Sequence, residues 1–238
     1  NPGAIAQPSL TGEQRHRRHG VSLRVRAGGD RTGGSLLLAL HRHRGEYQDS
    51  APPFGQAYRQ VARVTQREAG LEGWGRLGPL ILRAGGEFRR LRVRSDALQP
   101  PSAGLWEGGA WARAELAHDL SPQLAFQLQA GLRADGHELV EGTTLSPGVE
   151  ANLQRGRTTL ALAYRSGFSP PGLADLFFQE GVLVRPNPEL RPERTDGEVS
   201  LTLGQGVASG PVGLQLQLAL YRGDIDDMIL WFPDFRFV

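Results

Sequence analysis

The stretch Gln123-Leu124-Ala125-Phe126-Gln127-Leu128-Gln129-Ala130-Gly131-Leu132-Arg133 decides the fold. Leu124, Phe126, Leu128, Ala130 and Leu132 fall on one side of an extended chain, with Gln123, Gln127, Gln129 and Arg133 on the other. A period of two predicts a strand with one apolar and one polar face. The run from Val212 to Leu220 repeats it, with Val212, Leu214, Leu216, Leu218 and Leu220 opposing Gln215 and Gln217. Each run has about the nine to eleven residues that a tilted strand needs to cross a bilayer.

Outward from these two runs, weaker alternation marks 20–27, 35–44, 58–71, 80–94, 106–118, 147–154, 158–166 and 196–203. This gives about ten strands. Compact connections at Gly28–Gly34, Glu72–Pro79, Asp119–Pro122 and Arg155–Arg157 alternate with longer ones at Gly45–Ala57, Ser95–Leu105, Asp135–Leu145 and Gly167–Asp196. An antiparallel up-and-down barrel in an outer membrane has this rhythm, with tight turns on the periplasmic side and roomy loops outside. A Greek-key sandwich or a propeller has no reason to alternate so regularly. Two other readings remain open: a soluble all-β binding module, and a passive porin.

The alternation also predicts a wet lumen. Arg24, Arg26, Arg63, Gln66, Arg113, Glu115, Gln127, Gln129, Glu150, Asn152, Glu198, Thr202 and Gln217 are expected to line it. Placing an Arg against lipid near the bilayer middle costs about 2–4 kcal/mol, so the two faces cannot be exchanged freely. Tyr47, Tyr58, Trp106, Phe168 and Trp231 fall near strand ends that face long connections, with Trp74 beside a short one, as two interfacial girdles require.

Composition narrows the class. Apolar residues make up 39% and charged residues 22%, which is too apolar for disorder and fits a chain in which only alternate residues meet lipid. No stretch approaches the eighteen or so uncharged apolar residues of a membrane-spanning helix, so a helical membrane protein is excluded. All 27 basic residues are Arg, spread along the chain against 25 acids, which does not suggest a nucleic-acid partner. Cys is absent, so no disulfide or thiolate site is available.

Sharper chemistry is not indicated. No phosphate loop, nucleophile elbow or paired catalytic carboxylates stand in a suitable context, so no enzyme, catalytic residue or cofactor is expected. His16, His19, His41 and His43 are close in sequence but lie among Arg residues, which disfavours a metal. Asp224, Asp226 and Asp227 lack the Gly and terminal Glu of a calcium loop.

Between Thr144 and Trp231 the sequence resembles the barrel domain of TonB-dependent receptors. The resemblance rests on Leu145-Ser146-Pro147-Gly148-Val149, on Ala163 to Phe177 with its Gly167-Phe168-Ser169-Pro170-Pro171 and Leu173-Ala174-Asp175-Leu176-Phe177, on Asn187-Pro188-Glu189-Leu190-Arg191-Pro192-Glu193, and on Asp224 to Trp231. Four elements in order over this span make a specific match. The resemblance implies an outer-membrane barrel of about 22 strands filled by an N-terminal plug. It also implies uptake of a scarce substrate such as a ferric siderophore, haem or cobalamin, energised by a TonB complex acting through the plug.

Residues 1–238 are then expected to be part of such a barrel, with the plug and the C-terminal strands absent. Asn1-Pro2-Gly3-Ala4 shows no secretory signal, and Phe235-Arg236-Phe237-Val238 reads as the opening of another strand. Outer-membrane lipid is the expected surrounding, and a metal chelate or similar small molecule the expected ligand. Within the long connection, Phe168, Phe177, Phe178 and Arg185 are the expected substrate contacts. Asn187, Pro188, Leu190, Pro192 and Glu193 are expected to act structurally, because the prolines fix a rigid return to the barrel wall.

Overall fold

The computed structural model describes residues 11–51, 57–98, 100–177, 187, 189–209 and 212–230. Ten strands follow in chain order: β1 (Gly12–Gly28), β2 (Thr32–Asp49), β3 (Tyr58–Leu77), β4 (Leu80–Ser95), β5 (Ser102–Ser121), β6 (Leu124–His137), β7 (Val140–Arg155), β8 (Thr158–Ser169), β9 (Glu193–Ser209) and β10 (Val212–Asp226). One short helix, α1 (Leu173–Phe177), lies between β8 and β9. The strands form a single antiparallel up-and-down sheet in sequence order. Among the described residues β1 pairs only with β2 and β10 only with β9, so the sheet is open. No helix among them is long and apolar enough to cross a membrane.

Residues opposite one another in antiparallel register share a face. The register therefore sorts the whole sheet into two surfaces. One row runs Leu80–Leu116–Leu128–Ala151–Leu162–Leu201–Leu220 across seven strands. The next residue along gives Glu115–Gln129–Glu150–Ala163–Ser200–Tyr221 on the opposite face.

Among the described residues nothing covers the apolar face. Leu162, Leu201 and Leu218 are 52%, 40% and 58% exposed, and the only buried apolar residues among those described are Leu98 and Leu176. A continuous apolar surface of this extent marks contact with a partner or a membrane. A closed two-layer core built from the leucine rows, as a soluble sandwich would need, is not what the strands form.

Hydrogen-bonded ladders carry the strands well past their alternating cores. The strand expected at 20–27 runs Gly12–Gly28, and the one expected at 196–203 runs Glu193–Ser209. The tight hairpins follow glycine chemistry: Gly78 and Gly156 take φ of +61° and +57° at the first turn position, as a type II′ hairpin requires.

One connection departs from the expected rhythm. Asp135–Leu145 is not a long loop, because β6 continues to His137 and β7 starts at Val140. Glu138 fastens the hairpin to β5 twice: its N–H donates to the Trp106 carbonyl at 3.0 Å, and its carboxylate accepts the Trp106 N–H at 2.9 Å. The His137 Nδ1 accepts the Leu139 N–H at 3.1 Å, which completes the turn.

Facing also corrects three residues. Arg63 lies opposite Arg44 and Arg94, on the extension of the apolar face and not in the lumen. Its partner in the expected list, Gln66, is three positions away, and a strand of strict alternation cannot turn both the same way. Tyr47, opposite Gln14 and Gln60, and Trp74, opposite Gly33 and Arg83, lie on the polar face, so neither belongs to an outer girdle. Trp106 does point outward, stacked on Phe88 with ring centroids 6.4 Å apart. The side chain of Tyr58, and Trp231 entirely, lie outside the described residues.

Candidate functional site: the polar inner wall

The polar face is the concave one. A hollow of about 390 Å³ draws its lining from β2 through β8 on that face, including Glu68, Glu87, Arg89, Glu107, Arg133 and His137, which only a sheet curving towards it can do. Strict alternation places these side chains, and their charges are matched across strands. Arg89 reaches Glu68 at 3.1 Å and Glu107 at 2.5 Å, linking β3, β4 and β5. Arg133 reaches Glu87 at 2.6 Å and Asp135 at 2.7 Å. Nearer the tight turns, Arg113 meets Glu115 at 2.7 Å, and Arg83 approaches Glu115 at 3.2 Å without hydrogen-bond alignment. Arg165 and Glu198 join β8 to β9 at 3.2 Å.

These pairs are half-exposed, so each contributes up to about 1 kcal/mol. Their combined effect is to hold a wall of fixed alternating charge that stays hydrated. Asp135, at 9% exposed, and His137, at 4%, are the exceptions. Burial pushes the His137 imidazole below the ordinary His range, while the Glu107 and Glu138 carboxylates pull the other way.

Of the expected substrate contacts, Phe168, expected also in the outer girdle, instead lines this hollow, at the end of β8 next to the long connection. Phe177 closes α1, whose Leu176 is buried at 4% exposure. Phe178 and Arg185 lie outside the described residues, as does Pro188. Asn187 donates its N–H to the Asp175 carbonyl at 2.9 Å and accepts the Glu189 N–H on its side chain at 3.0 Å. Leu190 and Pro192 border a second hollow with Asp196 and Asp226. The Glu193 carboxylate accepts the Ile229 N–H at 2.6 Å, fastening the segment after β10 to the start of β9.

Two clusters singled out in the sequence also have defined places. His16 and His43 stack with ring centroids 5.1 Å apart, Nδ1 of one lying 3.0 Å from Nε2 of the other, and Arg18 stands opposite His43. Among the described residues no three His, Asp or Glu gather as a metal site. The Asp226 carboxyl is raised from its ordinary value by a hydrogen bond and the charge of Asp196, with Asp227 and Asp224 adding to it.

Sequence reading did not single out Glu68, Glu87, Arg89 or Asp135. The signal was available in the shared phase of Glu68 and Glu72 on β3 with Arg83, Glu87 and Arg89 on β4. Their weak alternation hid it, because Gly70 and Gly85 interrupt the polar rows.

Over residues 6–238 the sequence matches the family model described as TonB dependent receptor-like, beta-barrel. The chain belongs to this family. No curated protein matches the receptor chain by sequence. Among solved structures it is similar to the ferric enterobactin receptor PfeA, with a TM-score of 0.67 at 19% identity, covering 89% of this chain and 35% of that one. It is also similar to the siderophore receptor PirA from Pseudomonas aeruginosa, with a TM-score of 0.57 at 16% identity over 88% of this chain and 46% of that one. A third is the copper transporter OprC, with a TM-score of 0.60 at 15% identity over 90% and 39%. The receptor chain thus spans less than half the length of these proteins, and at such identities the likeness is one of fold.

Proposed function

We propose that the chain is part of the barrel wall of an outer-membrane receptor that imports a scarce metal chelate or similar nutrient, energised by TonB through a plug domain encoded outside residues 1–238. The observation that carries this reading is the division of one sheet into an uncovered apolar face and a concave, charge-paired face with a hollow beside the long connection. Lipid suits the first, and a plug with a passing polar ligand suits the second. The chain then supplies a wall and a mouth and no catalytic groups. Phe168, Phe177, Phe178 and Arg185 contact the ligand from the long connection, while Asn187 to Glu193 serve structurally, returning the chain rigidly to β9.

The test uses the complete gene in a host stripped of its own receptors and starved of iron. Growth on one ferric chelate that disappears when TonB is deleted is the expected result. Uptake that persists without TonB would replace the reading by a passive porin. In the same strain, Phe168→Ala and Arg185→Ala are expected to weaken chelate binding by about fivefold or more, the effect of losing a contact residue. Unchanged uptake in both removes them from the ligand site.

A further inference from the structure

On the outward face the apolar belt gives way, towards the long connections, to arginine. Three successive rows across β1 to β4 show the change. The first row, Val21–Leu40–Arg67–Arg90, continues to Trp106 on β5. The second is His19–Arg42–Thr65–Arg92, and the third, Arg17–Arg44–Arg63–Arg94, places four arginines directly opposite one another on four neighbouring strands. At about 4.8 Å between strands, the third row spans roughly 14 Å.

Like charges in direct register repel, so such a row is unfavourable unless an anion lies over it. The protein supplies almost none. Among the described residues the acids of the patch are Glu46, which binds Arg44 at 3.4 Å and Arg59 at 2.5 Å, and Asp96, just beyond the third row, whose carboxylate accepts the Val61 N–H at 2.9 Å. Arg17, Arg63, Arg67, Arg90, Arg92 and Arg94 are exposed and take part in no ion pair among the described residues. The patch stops at β4: Gly104 and Ser102 continue the second and third rows on β5.

We infer that the outward face of β1 to β4, just beyond the apolar belt, binds the phosphorylated headgroup of a membrane lipid carrying more than one phosphate. The inference rests on the outer-membrane reading above. Three features select this occupant. Guanidinium forks match phosphate oxygens, and several abreast require several phosphates. The patch adjoins the Leu23–Leu38–Ala69–Phe88 row without a gap, so a ligand with acyl chains covers both. The stacked Phe88–Trp106 pair marks the level at which headgroup meets chain.

The test uses the full-length receptor purified in detergent, with bound lipid counted by native mass spectrometry. Probes are bisphosphorylated lipid A, its dephosphorylated form, and inorganic phosphate as competitor. Bisphosphorylated lipid is expected to bind at least about tenfold more tightly than the dephosphorylated form, with strong salt dependence, and free phosphate is expected not to displace it. Combining R17Q, R63Q, R92Q and R94Q abolishes that preference, whereas Lys at the same four positions keeps most of it and reports on folding. Equal binding of the two lipids, or full displacement by millimolar phosphate, overturns the inference. Lipid binding is measured without import, so failure of the transport reading leaves this result readable.

Discussion

Two groups of arginine on opposite faces of this sheet follow opposite rules. On the inner face of β3 to β9, Arg83, Arg89, Arg113, Arg133 and Arg165 each have a carboxylate within 3.4 Å. On the outer face of β1 to β4, Arg63, Arg67, Arg90, Arg92 and Arg94 have none among the described residues. Matched charge makes a hydrated wall that keeps its shape without a ligand. Unmatched charge makes a surface whose repulsion is relieved only by something that arrives. Between them on the outer side lies the belt of exposed leucine, which tolerates neither kind.

The sharpest way to break this division is to move a charge from one face to the other by a single residue. Leu201→Arg puts a guanidinium in the middle of the apolar row, and an Arg facing lipid there costs about 2–4 kcal/mol. Thr202→Arg, one position on, enters the wet inner face between Ala161 and Ala219. In the full-length receptor the first variant is expected to lose most of its folded, heat-modifiable form on gels, and the second to keep it. Equal assembly of the two would mean that the exposed leucine face does not meet lipid.

A smaller effect sharpens the contrast between paired and unpaired arginine. Arg133→Ala removes the bridge between Glu87 and Asp135 and leaves the buried Asp135 carboxylate without its cation, a loss of about 1–3 kcal/mol. Arg63→Ala removes one member of a repelling row, so its effect is expected to lie near zero or be slightly stabilising. Chemical unfolding of both variants in the same detergent at low salt gives the comparison. A larger loss for Arg63 than for Arg133 would show that the outer row is held by a partner within the protein.

Much of this architecture was legible in the sequence, and the reason is physical. Leu124 to Leu132 and Val212 to Leu220 alternate without interruption because both faces are under constraint at once, lipid or its equivalent on one and water on the other. Where only one constraint acts, the reading slips. Arg63 is expected in the lumen only if an arginine must avoid the apolar face, yet beyond the belt that face is free to be cationic. The connection expected to be long at Asp135–Leu145 is a short hairpin, because backbone pairing of Glu138 to Trp106 and a positive φ at Gly142 let the ladder continue. The ion pair that ties β4 to β6 is not legible in the sequence, since Glu87 and Arg133 are 46 residues apart.

The smallest predicted effect probes that hairpin. His137 lies three residues beyond Ala134, the last apolar outward position of β6, and its Nδ1 must be unprotonated to accept the Leu139 N–H at 3.1 Å. Burial lowers its pKa in the folded chain, so below the ordinary His value of about 6.5 the unfolded hairpin binds more protons than the folded one. The stability contributed by the neutral ring is therefore complete above that value and declines as the pH falls from it through the lowered folded pKa. Between pH 7.5 and 5, amide exchange at Leu139 and Glu138 is expected to quicken by a few-fold more than at the Gly156 hairpin, which has no histidine. His137→Asn retains a side-chain acceptor without a titrating ring and should remove the difference. If the wild-type hairpin exchanges at the same relative rate at both pH values, the hydrogen bond to the ring does not hold the turn, and its attachment to β5 through Glu138 and Trp106 suffices.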